Sequence, residues 1–190
     1  MPNHVDTIPN TNRADTRVCP YIIHHSTHHT PNSTLLTEQL TTKTMLSIFS
    51  DEYYMKQAYQ EAQAALEADE IPIGAVVVCN DKIIARAHNQ TETLNDVTAH
   101  AEMLAITAAA NALGAKYLDE CTLYVTLEPC PMCAGALCHA HIGKIVWAAD
   151  DPKNGFSRFG NMLHPKTKTA TGVMQDACLQ LLTDFFKKKR

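Results

Sequence analysis

The chain has 190 residues, of which 45% are hydrophobic and 19% are charged. This length suffices for one ordinary domain with a buried core, and the composition is typical of a soluble globular protein without a membrane span. The formal net charge of −4 argues against a wholly basic nucleic-acid-binding protein.

The first 48 residues differ in composition from the rest of the chain. They are rich in Thr, Asn, Pro and His and show little hydrophobic periodicity, so they cannot bury enough apolar surface to offset the entropy of ordering. We therefore predict a disordered N-terminal extension over 1–48 and one domain over 49–190. No basic region followed by an apolar run marks a signal peptide. Four histidines of the extension could bind a metal adventitiously: His24, His25, His28 and His29.

The first predicted element of the domain is a helix that begins at residue 51. Ser50 is suited to cap this helix, and the pattern ends near Gly74. Two strands follow over 74–80 and 82–89, and the Asn80-Asp81 pair between them is a hairpin signal. The residues expected on the buried face of the helix share one stripe: Tyr54, Ala58, Ala62, Ala65 and Leu66.

The second half of the domain alternates helices and strands. Thr98 can cap the next predicted helix, and Gly114 can end it. A loop rich in Gly, Asn and Pro precedes the last helix. The alternation after an opening hairpin predicts a three-layer α/β domain. The elements expected after the hairpin are a helix over 98–114, a strand over 121–129, a helix over 131–140, a strand over 144–150 and a helix over 176–190.

One imidazole and two thiols stand at predicted helix starts. His100 opens one helix, and Cys130 and Cys133 bracket the start of another. Two helix starts that face each other would bring these three ligands to a single zinc ion and leave its fourth position open, as in catalytic sites. Glu102 is too close to His100 in sequence to chelate beside it, but near enough to act as a proton shuttle.

Two other uses of these residues remain open. A Cys-x-x-Cys pair can be redox-active, although its usual thioredoxin-like setting is missing here. A structural Cys₂His₂ zinc site would need a fourth ligand, for which His88, His139 and His141 are candidates. For His139 and His141 we favour a supporting or surface role, because they follow the helix.

Cysteine usage and charge distribution bear on location and partners. An odd number of cysteines, mostly inside apolar segments, favours a reducing, cytoplasmic compartment over a disulfide framework. Residues 51–143 carry thirteen acidic and four basic side chains, whereas residues 144–190 carry nine basic and four acidic ones. The basic surplus can be a footprint for a polyanion, and the alternative is a solvated helix end whose lysines suit the helix dipole.

The pattern H-x-E followed by P-C-x-x-C is the known signature of zinc nucleobase deaminases. From about residue 50 to 190 the chain resembles that superfamily. The segments "IPIGAVVV", "AHNQTETLNDVTAHAEM", "TLYVTLEPCPMCAGA" and "LLTDFFKKKR" resemble the bacterial tRNA-specific adenosine deaminases, the TadA family. The resemblance implies a three-layer α/β/α cytidine-deaminase-like fold with a central mixed sheet of about five strands, and a homodimer.

The resemblance also implies an activity and a set of site residues. The activity is deamination of adenosine to inosine at the wobble position of a tRNA anticodon loop. His100, Cys130 and Cys133 would hold one Zn²⁺ per chain, and Glu102 would move the protons. Asn89 falls where the family has an asparagine that reaches the nucleoside, the alternative being an ordinary turn residue.

Two other functions remain as alternatives. One is deamination of free guanine, cytosine or nucleosides, which would need no basic surface. The other is a non-catalytic zinc module that binds RNA, although an acid beside an open coordination position serves no purpose there. One departure from the family is the segment "FSRFGNMLHPKTKTATG", which is shorter than usual and lacks an Asn-His pair in a loop expected to contact RNA.

Overall fold

The computed structural model describes residues 49–189, and the predicted extension over 1–48 lies outside the described residues. The described part forms four α-helices, one short 3₁₀ helix and five strands. In chain order they are α1 (Asp51–Glu67), β1 (Gly74–Cys79), β2 (Lys82–His88), α2 (Ala101–Leu113), β3 (Cys121–Leu127), α3 (Pro131–His139), β4 (Lys144–Ala149), the 3₁₀ helix (Phe156–Phe159), β5 (Lys168–Thr171) and α4 (Gln175–Lys188).

Helix α1 begins where the sequence predicts it. The Tyr53 N–H donates to the Ser50 hydroxyl at 3.1 Å, and Asp51 and Glu52 in the first turn suit the positive end of the helix dipole. Leu66 is only partly buried, whereas Met55, which the stripe omits, is fully buried. The buried face is therefore formed by Tyr54, Met55, Ala58, Ala62 and Ala65.

The five strands form one mixed sheet in the order β2-β1-β3-β4-β5. β1 pairs antiparallel with β2 and β3, while β3, β4 and β5 run parallel. Asn80 and Asp81 form the hairpin turn with φ values of 49° and 59°, the left-handed region that a two-residue hairpin requires. Because β2, β3 and β4 run in the same direction, their carboxyl ends lie at one edge of the sheet.

Helices cover both faces of this sheet, which confirms the predicted α/β class. On one face, α1 and α4 enclose an apolar cluster with three strands. On the other face, α2 packs against β1, β2 and β3 and contacts α3. No helix within residues 49–189 is long and apolar enough to cross a bilayer. The cluster under α1 and α4 comprises Tyr54, Met55, Ala58, Val76, Val78, Tyr124, Val146, Ala148 and Cys178.

Two details of the predicted elements are wrong. Helix α2 begins at Ala101, not at residue 98, and its N-cap is His100, which makes no side-chain capping hydrogen bond. Thr98 instead bonds the carboxylate of Asp96 at 2.7 Å, so its hydroxyl is engaged before the helix starts. Strand β5 was predicted as loop, because the edge strand Lys168–Thr171 is polar and mostly exposed and shows no apolar alternation.

Gly74 sets the distance between α1 and the sheet, and its replacement by alanine is expected to destabilise the protein strongly. A Cβ atom there would lie 2.1 Å from the Ala58 carbonyl oxygen and 2.3 Å from the Ala62 amide nitrogen. Backbone atoms of a helix cannot withdraw singly, so Gly74→Ala should cost about 3 kcal/mol or more in the free energy of unfolding. Urea unfolding measures this loss.

Gly135 provides the control for that substitution. It lies inside α3, and a Cβ there would meet nothing within 4 Å apart from its own helix backbone and chain neighbours. Gly135→Ala should be neutral or slightly stabilising, since alanine is the better helix former by about 1 kcal/mol. Equal losses from both substitutions would show that close packing at Gly74 is not the cause.

Candidate metal centre

Two helix starts meet at the edge of the sheet where the strands carry their carboxyl ends. His100 precedes α2 as its N-cap, and Cys130 precedes α3 as its N-cap, three residues after β3 ends. Both N-cap residues have extended backbone, with ψ of 152° and 167°. Cys133 follows in the first turn of α3 and is fully buried. The fold thus gathers residues from two segments thirty positions apart.

His100, Cys130 and Cys133 form a tight triangle of ligand atoms. The Nδ1 atom of His100 lies 3.7 Å from the sulfur of Cys130 and 3.5 Å from the sulfur of Cys133. One ligand atom from each residue lies within 4.8 Å of the others. A nitrogen and two thiol sulfurs at this separation are a donor set that zinc accepts readily, so the residues fit such an ion.

The two thiols differ in their protonation. A hydrogen bond from Cys133, together with one from His100, lowers the pKa of the Cys130 thiol to about 4. The same hydrogen bond and burial raise the pKa of Cys133. The hydrogen bond to Cys130 raises the pKa of His100 in turn. The triangle therefore holds protons that a metal ion would displace, and metal binding should release them.

Glu102 lies beside the triangle and contributes no ligand atom to it. Its side chain is 4% exposed and hydrogen-bonds the thiol of Cys133. Burial raises the pKa of Glu102 to about 6, because a charged carboxylate is poorly solvated inside the protein. A carboxyl group with such a pKa can both accept and release a proton near neutral pH.

The other histidines proposed as a fourth ligand do not join this group. Within residues 49–189, His100, Cys130 and Cys133 are the complete set of clustered ligands. The Nδ1 atom of His88 lies 3.4 Å from a carboxylate oxygen of Glu61. The ring of His141 stacks at 4.5 Å on Tyr117. A structural site with four protein ligands is therefore not formed here.

Asn89 follows β2 at the same edge of the sheet and is 3% exposed. Its side-chain NH₂ group donates to Glu70 and to Thr91, both at 3.0 Å. The next residue, Gln90, donates its backbone N–H to the carbonyl of Ala99 at 3.0 Å. Asn89 therefore sits on the segment that runs beside the residue preceding His100.

Glu70 is a residue of this region that the sequence analysis missed. It is fully buried, and its carboxylate accepts hydrogen bonds from a group of donors on the segment after β2. Burial acts to raise the pKa of Glu70, but these hydrogen bonds outweigh it and lower the pKa overall. No local sequence signal marks it, because an acid that precedes an apolar run such as "IPIGAVVV" is ordinarily a surface residue. The donors are Asn89, Thr91 and the backbone amides of Glu92 and Thr93.

Glu128 is a second buried carboxylate that the sequence analysis gave no role. It accepts the backbone N–H groups of Asp151 at 3.0 Å and of Ser157 at 2.9 Å. The Phe156 N–H donates to the carbonyl of Pro129 at 3.0 Å. The turn over 151–157 is therefore attached to the two residues that precede Cys130.

Comparison with known proteins identifies relatives over the described part of the chain. Residues 49–190 match the family of MafB19-like deaminases. The tRNA-specific adenosine deaminase of Bacillus subtilis (strain 168) is 49% identical over 146 residues, which are 74% of this chain and 91% of that relative.

Solved structures give two neighbours of different substrate class. One comes from structural studies of A-to-I editing by tRNA:A34 deaminases at the wobble position of transfer RNA. It has a TM-score of 0.64 and 42% identity, and it covers 68% of this chain and 99% of that chain. The other is a guanine deaminase from Bacillus subtilis, with a TM-score of 0.52 and 40% identity over 59% of this chain and 71% of that chain.

Proposed function

Because this chain belongs to the MafB19-like deaminases and to the tRNA-specific adenosine deaminases, we propose that it deaminates adenosine to inosine at the wobble position of tRNA anticodons. The reaction consumes water and releases ammonia. An anticodon loop is already single-stranded, so turning its base out of the stack costs little. The observation that carries the proposal is the triangle of His100, Cys130 and Cys133 with Glu102 buried beside it.

The three clustered ligands are proposed to hold one Zn²⁺ per chain. His100 contributes Nδ1, and Cys130 and Cys133 contribute their sulfurs. Zinc at this position supplies Lewis-acid activation of the water that hydrolytic deamination consumes. The helix starts at Cys130 and at Ala101 present backbone N–H groups and a positive dipole end, and the Cys133 N–H helps to lower the pKa of the Cys130 thiol.

Glu102 is proposed to move the protons of the reaction. Adenine must gain a proton at N1 as water adds at C6, and the departing amino group must gain another. The buried carboxyl of Glu102, with its pKa raised by burial to about 6, can take one proton from the water and deliver it to N1. It can then take the second proton from the hydroxyl group added at C6 and deliver it to the departing amino group, which leaves as ammonia. Asn89 is proposed to bind the nucleoside.

Deamination of free guanine is the second candidate, since a guanine deaminase shares the fold at 40% identity. The two candidates differ in their requirement for RNA. The purified protein should be offered an anticodon stem-loop with adenosine at the wobble position, and separately free adenosine, guanine and cytosine. Release of ammonia from the stem-loop, accompanied by inosine, is expected. Ammonia from guanine and none from the stem-loop would establish the second candidate.

The basic C-terminal segment is proposed to contact RNA phosphates. Lys187 lies 3.8 Å from Asp184 and Lys189 lies 2.6 Å from Asp69, in exposed ion pairs that phosphate can displace at little cost. Changing Lys187, Lys188, Lys189 and Arg190 together to glutamine should weaken binding of the stem-loop and flatten its salt dependence.

Binding of the stem-loop at several salt concentrations measures that effect. Each lost phosphate contact reduces the log–log slope by about 0.7 on a single strand and by about 0.9 on a duplex. Turnover at saturating RNA should be unchanged, because these lysines carry no protons in the reaction. Lys56→Gln with Lys116→Gln serves as the control, since both lysines are exposed and lie outside the C-terminal segment. Identical slopes for all three proteins would remove the C-terminal segment from the RNA site.

The proposed domain boundary and assembly state can be tested with one shortened chain. We place the activity in residues 49–190, in a cytoplasmic homodimer whose interface would cover exposed apolar side chains such as Leu94, Val97 and Phe159. A chain starting at Met45 should keep full turnover and melting temperature, and light scattering should give twice the chain mass. Loss of turnover on shortening would place part of the functional domain before residue 45.

A further inference from the structure

The segment after β2 converges on a single buried carboxylate. Glu70 is 0% exposed, and its Oε1 atom accepts the Thr93 N–H at 2.7 Å. Its Oε2 atom accepts the Asn89 side-chain NH₂ at 3.0 Å, the Thr91 hydroxyl at 3.3 Å and the Glu92 N–H at 3.3 Å. The two carboxylate oxygens of Glu70 therefore accept hydrogen bonds from every residue between 89 and 93 except Gln90.

This arrangement fixes which way round the Asn89 amide sits. An ionised carboxylate can only accept hydrogen bonds, so the group that Asn89 turns toward Glu70 must be its NH₂. The second donor of that NH₂ is directed to Thr91. Both donors of Asn89 are thus engaged inside the protein, and the carbonyl oxygen is left for an outside partner.

The carbonyl oxygen of Asn89 is available at the surface of the site. Among residues 49–189 this oxygen has no hydrogen-bond partner. Every fully buried side-chain polar atom of those residues has a partner, so the Asn89 oxygen must reach solvent. The Asn89 segment is held beside the metal triangle by the bond from Gln90 to the carbonyl of Ala99. An acceptor placed there suits an O–H or N–H donor of a nucleoside.

We propose that Glu70 is a positioning residue that holds the Asn89 amide with its NH₂ turned inward and its carbonyl oxygen offered to the nucleoside. The proposal rests on the function proposed above, in which Asn89 binds the substrate. Glu70 touches no reacting atom and acts through Asn89. In the opposite orientation the Asn89 amide would present its NH₂ group to donors of the substrate. Glu70 excludes that orientation.

A reversed pair of side chains tests this role. Asn89→Asp places two carboxylates against each other, and should lower kcat/KM by about tenfold or more and reduce the melting temperature. Glu70→Gln alone replaces one acceptor oxygen by a donor, and should also lower kcat/KM, mainly through KM. In the double variant the amide introduced at position 70 can donate to the carboxylate introduced at position 89, which again directs an acceptor outward. The double variant should therefore recover about tenfold in kcat/KM over Asn89→Asp.

Glu128→Gln is the matched control for this rescue. Glu128 is a second buried carboxylate that accepts backbone N–H groups, but from Asp151 and Ser157 and not from Asn89. Combined with Asn89→Asp it should give no recovery. If Glu70 merely supported the backbone after β2, Glu70→Gln would add its own loss to that of Asn89→Asp. Additive losses, in either kcat/KM or melting temperature, would overturn the proposal.

The two readouts separate this proposal from the proposed function. Melting temperatures of the wild type, the two single variants and the double variant report the contact between Glu70 and Asn89 with no substrate present. Recovery of melting temperature without any recovery of kcat/KM would leave Glu70 as a structural partner of Asn89 and reject the positioning role. If the wild type deaminates only free bases, kcat/KM is measured on that base and the RNA function alone fails. If it deaminates nothing, both the function and the positioning role are rejected.

Discussion

Glu102→Gln is expected to abolish nearly all turnover while leaving the fold and the metal content unchanged. The glutamine has the same shape but cannot carry a proton between water, ring nitrogen and leaving amine. Removal of a positioned acid–base group typically lowers rates by a factor of about 10² to 10⁴, and we expect the upper part of that range because two proton transfers are proposed to depend on this carboxyl. Single-turnover deamination, with zinc measured on the same sample, tests this.

Stability provides a second readout for the same variant. Glu102 is buried, and burial raises its pKa to about 6, so its charged form is held at a cost in the folded protein. The neutral amide avoids that cost, and the melting temperature of Glu102→Gln should be equal to or higher than that of the wild type. Glu120→Gln is the control, because Glu120 is exposed and precedes β3 at the other edge of the sheet. Substantial turnover by zinc-loaded Glu102→Gln would assign the protons to another group.

Cys130→Ser is expected to remove most of the zinc that the triangle is proposed to hold. Cys130 supplies the thiolate of the triangle, since its pKa is lowered to about 4 by the hydrogen bonds from Cys133 and His100. A serine hydroxyl stays protonated at neutral pH and is a poor zinc ligand, so the ion would keep only two good protein ligands. The zinc content of the purified protein should fall from about one per chain to a small fraction of that.

Cys138→Ser is the matched control for the metal measurement. Cys138 is a partly buried free cysteine in the same helix, one residue from its end, and it does not belong to the clustered ligands of the described chain. Its variant should keep zinc and turnover. Equal zinc in Cys130→Ser and the wild type would exclude the triangle as the zinc site. Equal losses in both cysteine variants would point to damage of α3 as a whole.

The sequence alone was sufficient to predict the fold class and the residues of the triangle. Strong periodicity located α1 and the strands, and Asn80-Asp81 located the hairpin turn. The motifs around His100 and Cys130 predicted that both residues lie at helix starts, and the structure places them there. These features depend on local sequence, which explains why they could be predicted.

Features that depend on tertiary contacts could not be predicted in this way. Strand β5 is polar and exposed, and it is a strand only because β4 offers it hydrogen bonds. Glu70 and Glu128 are acids that composition places on the surface, but the fold surrounds them with N–H groups from distant loops. Their burial becomes predictable only once the donors' positions are known.

The attachment of residues 151–157 to Glu128 determines where the chain can change its length. Gly155 approaches so closely that a Cβ there would lie 2.2 Å from the Glu128 carboxylate, and Ser157 closes the attached turn. Further along, the Thr167 hydroxyl bonds the Ile142 carbonyl at 2.7 Å, and the Lys168 N–H bonds the Gly143 carbonyl at 3.0 Å.

Between these two anchors, residues 158–166 form an interval with fixed ends that bears no ligand of the triangle. A change in the length of this interval would therefore alter what the surface contacts while the residues of the triangle keep their positions. The same property makes the interval a natural insertion point for engineering. A longer loop grafted between Ser157 and Thr167 would change the surface there and leave the residues of the triangle in place.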